Sequence, residues 1–237
     1  MHSVSWRSIH SPWLFSLLQT MRGASIAYPE IELERSRLLK DQNEVPPLDL
    51  GAGSQSKART VSEIAQSALK RPRHARALAG LASYLDTAVV LELGTCLGIT
   101  TAYLGKHAAS VTTIEGNPTL AGHAEDIWRR LKVQNVTSIV GDFDDALPSL
   151  PPQRYDLIFI DGNHRGAALI RYVNKLAPCL SEKGVIVCDD IHWSRDMEAA
   201  WDELIQENRW SLRVDFYEWG LLTANPSLAR EFHRIRF

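Results

Sequence analysis

Hydrophobic and polar positions along the chain change period near residue 88. Before it, apolar residues recur at spacings of three and four. Leu14, Leu17, Leu18 and Met21 follow Ser11-Pro12; Val61, Ile64, Ala65, Ala68 and Leu69 follow Thr60; Leu78, Leu81, Ala82 and Leu85 follow Pro72. That spacing puts each set on one face of a helix. Ile31 to Lys40 predicts one more. Thr60-Val61-Ser62-Glu63 is a capping-box pattern, in which Thr and Glu each satisfy a backbone N–H of the first turn. Pro72 ends that helix, because a proline ring forces the residue before it out of helical geometry.

From Ala88 onward, short apolar runs alternate with amphipathic stretches. Val89–Leu93, Val111–Glu115, Val136–Val140, Asp156–Ile160 and Val185–Cys188 read as buried strands. Ile99–Lys106 and Thr119–Leu131 read as helices, the second with Leu120, Ala124, Ile127, Trp128 and Leu131 inward. Two more helices follow, carrying Leu169, Tyr172, Val173 and Leu176, then Met197, Trp201, Leu204 and Ile205. Trp210 to Phe237 reads as further strands broken at Gly220 and Asn225-Pro226. Strands and helices in alternation predict an α/β fold with a doubly wound, mostly parallel sheet. Residues 1–86 form a helical N-terminal extension in this reading, and residues 87–237 form the sheet domain.

The first strand leads into Gly94-Thr95-Cys96-Leu97-Gly98 and then a helix. A strand, a tight glycine turn and a helix N-terminus bring backbone N–H groups against a nucleotide-like ligand. The second strand ends in Glu115, about 20 residues past the glycine turn, where a carboxylate accepts hydrogen bonds from ribose hydroxyls. Gly116-Asn117-Pro118 then turns the chain into a helix. The earlier Gly51-Ala52-Gly53-Ser54 lacks a preceding strand, since Val45-Pro46-Pro47 is poor strand material, and no acid-tipped strand follows it. It is expected to be a flexible loop, a lid over the site.

Every predicted strand of this core carries an acid at or near its end: Glu92, Glu115, Asp142, Asp161 and Asp189-Asp190. Ligands bind outside the carboxyl ends of parallel strands, so these acids are expected to share one crevice. Like charges repel at short range, and a cationic ligand would offset that. A sulfonium cofactor fits, as does a hard divalent ion. Asp161, Asp189 and Asp190 supply an oxygen-only set suited to magnesium, manganese or calcium. The Asp pair also reads as a helix N-cap.

Leu91-Glu92-Leu93-Gly94, Glu115, Gly141-Asp142, Phe159-Ile160-Asp161 and Asp189-Asp190 together resemble the motif series of class I S-adenosylmethionine-dependent methyltransferases. Within that class the chain is similar to the metal-dependent O-methyltransferases related to catechol O-methyltransferase, from about Ala88 to about Ile205. The resemblance implies a seven-stranded Rossmann-like sheet and S-adenosylmethionine as cofactor. It implies Gly94, Thr95 and Gly98 at the methionine end, Glu115 on the ribose, and Asp142 and Phe143 at the adenine. Glu92, Gly116 and Asp161 complete the implied cofactor set. Asp161, Asp189 and Asp190 match the metal ligands, the last being usually Asn. The family's general-base lysine, three residues after the first metal Asp, is here His164; with Asp161 it makes the implied catalytic pair. His192-Trp193 would wall the acceptor pocket or, alternatively, Trp193 would be core. The implied reaction is methyl transfer to a hydroxyl of a small molecule, a catechol-like diol or a sugar.

Composition narrows the alternatives. The 237 residues suit one α/β domain plus an extension, with 45% hydrophobic residues and a formal net charge of −2. That charge gives no global nucleic-acid signature, although Lys57, Arg59, Lys70, Arg71, Arg73, His74 and Arg76 cluster, as do Arg230, His233, Arg234 and Arg236. A tRNA-base methyltransferase and a non-catalytic cofactor-binding protein are therefore the rival readings. An NAD-dependent enzyme fits less well, because Cys96 stands where the dinucleotide fingerprint needs its second glycine. Cys96, Cys179 and Cys188 are odd in number and lack metal-finger spacing, as expected for reduced thiols of a cytoplasmic protein. No apolar stretch reaches a membrane-spanning length of about 18 residues, so no membrane partner is expected; a homodimer stays open.

Overall fold

A computed structural model describes residues 10–23, 28–48, 57–86 and 88–236. The Gly51–Ser54 loop lies outside the described residues. Among them, α1 (Pro12–Gly23), α2 (Pro29–Leu38), β1 (Glu44–Val45), β2 (Arg59–Thr60), α3 (Val61–Ala68) and α4 (Pro72–Tyr84) precede the main sheet. β3 (Val89–Leu93), α5 (Ile99–Gly105), β4 (Ser110–Glu115), α6 (Pro118–Leu131), β5 (Val136–Val140), α7 (Phe143–Ala146) and β6 (Tyr155–Ile160) follow. The chain then runs through α8 (Gly166–Leu176), β7 (Leu180–Asp189), α9 (Arg195–Gln206), β8 (Leu212–Asp215), β9 (Trp219–Thr223) and β10 (Glu231–Arg234).

The main sheet has eight strands in the order β10-β8-β9-β7-β6-β3-β4-β5. β3 pairs in parallel with both β4 and β6, and β9 is antiparallel to β7 and β8. This is the doubly wound, mostly parallel sheet that the alternation predicts, one strand wider than the seven that the resemblance implies because β10 adds in parallel to β8. The chain order reverses at β3, between β4 and β6, which opens a crevice at the carboxyl ends of these strands.

Each local device acts as its chemistry requires. Thr60 Oγ1 accepts from Glu63 N at 3.2 Å and Glu63 Oε2 accepts from Thr60 N at 2.8 Å, closing the capping box that starts α3. Asn117 caps α6, accepting from Thr119 N at 2.9 Å, with Pro118 at the first helical position. The helices before β3 share the sheet's core: Leu14, Leu17, Leu18, Leu78 and Leu81 cluster with Val90, Val111, Leu157 and Val185. On the other face, Leu169, Tyr172 and Val173 of α8 and Trp201 and Leu204 of α9 cover Leu91, Ile158 and Ile186.

Two local expectations need correction. Val45 does form a short strand, paired with Arg59, and Pro46 begins only after it. Gly220 does not break the last strands. It lies inside β9, where a Cβ would come within 2.3 Å of the Trp201 ring, so its missing side chain makes room for that indole. The break comes at residues 216–218 instead, and Asp215 Oδ1 accepts there from Tyr217 N at 2.8 Å.

Candidate active site

A cavity of about 310 Å³ opens at the switch point. Gly94, Glu115, Gly116, Asp142, Phe143 and Asp161, six of the predicted cofactor residues, line it, together with Cys96, Asn117, Gly141, Gly162 and Asn163. Its outer wall comes from residues before β3, among them Val45–Leu48, Lys57, Arg59 and Ile64.

The glycine turn is built by close approach. Gly94 has φ +100°, and a Cβ on it would stand 1.9 Å from the Asp161 carbonyl oxygen. Leu93 O accepts from Asp161 N at 2.8 Å, so β3 and β6 are held together where the cavity begins. Glu115 anchors the far side of the turn. Its Oε2 accepts from Cys96 N at 2.8 Å and its Oε1 from Asn117 N at 2.9 Å. Burial pushes the Glu115 carboxyl up, and the backbone N–H groups of Asn117 and Cys96 oppose that shift. Burial, with the Glu115 charge adding to it, pushes the Cys96 thiol up to about 12, so this thiol is no nucleophile at neutral pH. Asp142 caps α7, accepting from Asp144 N at 2.8 Å, and Phe143 meets Tyr172 edge-on at 5.6 Å. Gly162 leaves the space that Phe143 fills.

Three predicted cofactor residues lie behind the cavity. Gly98, at φ +71°, caps α5 against α6, accepting at its carbonyl from Trp128 Nε1 at 2.9 Å. Thr95 Oγ1 lies 2.6 Å from Thr113 Oγ1, and Thr113 donates onward to Glu92 Oε2 at 2.7 Å. Glu92 also accepts from Thr101 at 2.5 Å and is fully buried, so it does not share the crevice with the other acids. It projects from inside β3, one residue short of the strand's end.

Burial raises the Glu92 carboxyl from 4.5 to about 8, the Thr101 and Thr113 hydrogen bonds opposing and nearby Asp161 and Glu115 adding. The folded chain therefore holds this proton more tightly than the unfolded chain. Stability from this group is complete below about pH 4.5 and is lost as pH rises through about 8. Urea denaturation is expected to show wild type losing up to a few kcal/mol against Glu92→Gln between pH 5 and 9. Parallel pH curves for the two proteins would show that Glu92 is ionised in the fold.

The three predicted metal acids meet a cation that the sequence reading left in a basic run. Lys70, in the short link between α3 and α4, forms an ion pair with Asp189 Oδ2 and lies 3.4 Å from Asp161 Oδ1. Asp190, at φ +53°, turns its carboxylate toward His164, whose Nε2 is 3.8 Å from Asp190 Oδ2 and 4.0 Å from Asp161 Oδ1. Among the described residues no group of three His, Cys, Asp or Glu side chains is arranged to hold a metal ion. The Lys70 ammonium takes the oxygens of Asp189 and Asp161 that the expected divalent ion would need.

Several of the remaining basic residues also find partners inside the protein. Arg73 and His74 gather on Glu218 at 3.2 and 2.9 Å. Arg234 pairs with Asp215 at 2.8 Å and His233 with Glu231 at 2.8 Å. Trp193 is 72% exposed, which removes the core alternative, and its ring lies 6.5 Å from that of His164. Asn163, not singled out in the sequence, lines the cavity at φ +49° and donates from Nδ2 to Tyr172 OH at 3.0 Å. Its buried Oδ1 has no partner among the described residues, an acceptor at the cavity wall.

Residues 91–191 match a family model described as a methyltransferase domain. The likeness to a methyltransferase domain runs from within β3 to just past β7. A protein-L-isoaspartate O-methyltransferase of Ruegeria sp. is 34% identical over 71 residues, which are 30% of this chain. The match spans only 32% of that relative's length. The fold is shared more widely. The SAH-bound methyltransferase of Podospora anserina superposes with a TM-score of 0.67 at 15% identity, covering 94% of this chain and 99% of that one. An O-methyltransferase from Streptomyces achromogenes, in complex with SAM, gives 0.58 at 19% identity, with 66% and 81% covered. Among the described residues, no helix is long and apolar enough to cross a membrane.

Proposed function

We propose that this protein transfers the methyl group of S-adenosylmethionine to a hydroxyl oxygen of a small molecule. The observation that carries the reading is His164, whose imidazole stands beside Asp161, a carboxylate lining the switch-point cavity. The cavity takes the cofactor: Glu115 accepts from the ribose hydroxyls with the lone pairs its two backbone donors leave free. Phe143 and Asp142 border the adenine, and the glycine turn faces the methionine end. The acceptor lies on the His164 side, with Trp193 as an aromatic wall.

His164 takes the acceptor's hydroxyl proton. The oxygen lone pair forms the new bond to the methyl carbon, and the breaking carbon–sulfur pair stays on sulfur, leaving a neutral thioether. Asp161 and Asp190 face the imidazolium so formed, which returns its proton to water. Holding oxygen, methyl and sulfur in line contributes much of the remaining rate.

Calorimetry with S-adenosylmethionine tests the first step. Glu115→Ala is expected to weaken binding by about 1.5–3 kcal/mol, the scale of hydrogen bonds to a charged group. Methyl transfer from labelled cofactor to catechol-like diols and sugars tests the second. Tight NADH binding without affinity for the sulfonium cofactor would overturn the reading.

A further inference from the structure

We infer that Lys70 is a built-in cation standing where a divalent ion would otherwise sit, and that methyl transfer here needs no metal ion. The inference rests on the methyltransferase reading above and on four observations. Lys70 bridges Asp189 and Asp161, the two acids that end β7 and follow β6. Its side chain is 15% exposed and that of Asp189 only 6%, so the pair is largely withdrawn from water. Its backbone is fixed as well. Arg35 Nη1 donates to Lys70 O at 2.8 Å, and Arg35 is itself held by Glu32 at 2.9 Å. Pro72, two residues on, starts α4 and stiffens the link.

A divalent ion bound to the same oxygens would stand within bonding distance of a like charge. The ammonium and the ion are therefore alternatives for one position. Lys70 stands between the two carboxylates as their counter-charge. Two of its three N–H groups serve Asp189 and Asp161, so its charge is committed to these two acids. The bonds made and broken are unchanged: the proton goes to His164, the oxygen pair to the methyl carbon, and the sulfur keeps its pair.

The test uses the full chain, Mn²⁺ alone as probe, and electron paramagnetic resonance to read free ion. Wild type is expected to show no saturable Mn²⁺ binding that depends on Asp189. Lys70→Ala is expected to gain affinity by at least about tenfold, because it uncovers carboxylates without a counter-charge. That gain should vanish again in Lys70→Ala combined with Asp189→Asn. Lys70→Met keeps the stem in place if the alanine variant does not fold. Wild-type Mn²⁺ binding that Asp189→Asn abolishes would overturn the inference, as would folded Lys70 variants that gain nothing. Calorimetry with S-adenosylmethionine in excess chelator separates the two readings. Binding of the cofactor alongside Asp189-dependent Mn²⁺ in wild type sinks only the lysine inference; absence of cofactor binding sinks the methyltransferase reading itself.

Discussion

Replacing His164 by alanine is expected to lower the rate of methyl transfer by on the order of 10²–10⁴-fold, the range for a lost general base. S-adenosylmethionine affinity should stay near wild type, because His164 is not among the cavity-lining residues; it approaches the cavity through Asp161. The rate loss follows from what an alcohol or phenol needs. Its oxygen is a poor nucleophile while it keeps the proton, and an imidazole can take that proton near neutral pH. The two carboxylates at 3.8 and 4.0 Å then face a positive ring. His164→Gln keeps much of the shape and polarity but cannot accept a proton usefully, so it should be nearly as slow as alanine. Single-turnover rates with bound labelled cofactor read this directly. A glutamine variant at wild-type rate would show that His164 only lines the acceptor site.

The scaffold of this site was legible in the sequence, and the cation at its centre was not. Glycine turns, strand-ending acids and capping boxes are local: Glu115 ends β4 because the apolar run stops there, and Thr60 caps α3 because Glu63 is three residues on. Periodicity also named the inward faces of α1, α8 and α9, since burial on one side dictates spacing. Lys70 gave no such signal. It sits in the run Lys70-Arg71-Pro72-Arg73-His74, which reads as a solvated face, and its partner Asp189 is 119 residues away. Only the packing of the α3–α4 link over the strand ends brings them together. Glu92 misled for a related reason. One position inside β3 rather than beyond it, its carboxylate faces Thr101 and Thr113 in the core, and strand-end counting does not resolve that difference. Gly220 misled because a glycine that admits Trp201 and a glycine that turns the chain look alike in one dimension.

Gly94→Ala is expected to remove cofactor binding and to destabilise the fold together, whereas Gly98→Ala should mainly destabilise. Both residues sit at positive φ, a conformation that costs an L-residue about 1–3 kcal/mol. What their new methyl groups would strike separates them. At Gly94 the obstacle is backbone, the Asp161 carbonyl oxygen at 1.9 Å and its carbon at 2.8 Å, and no rotamer change relieves it. Asp161 must move, which breaks its N–H bond to Leu93 O and displaces the cavity floor at Asp161 and Gly162. At Gly98 the obstacles are Ala124 Cβ at 2.6 Å and Trp128 Nε1 at 2.8 Å, on the α6 side of the turn and away from the cavity. A loss of more than about 4 kcal/mol is expected for Gly94→Ala, in the exceptional class of single substitutions. Urea denaturation gives the stability of each variant, and calorimetry on the folded fraction gives its affinity for S-adenosylmethionine. The Gly98 variant should bind within a few-fold of wild type once its unfolded fraction is removed from the concentration. Full affinity in Gly94→Ala would mean that the turn relaxes without moving Asp161, and the close approach of β3 and β6 would then not be what shapes the cofactor site.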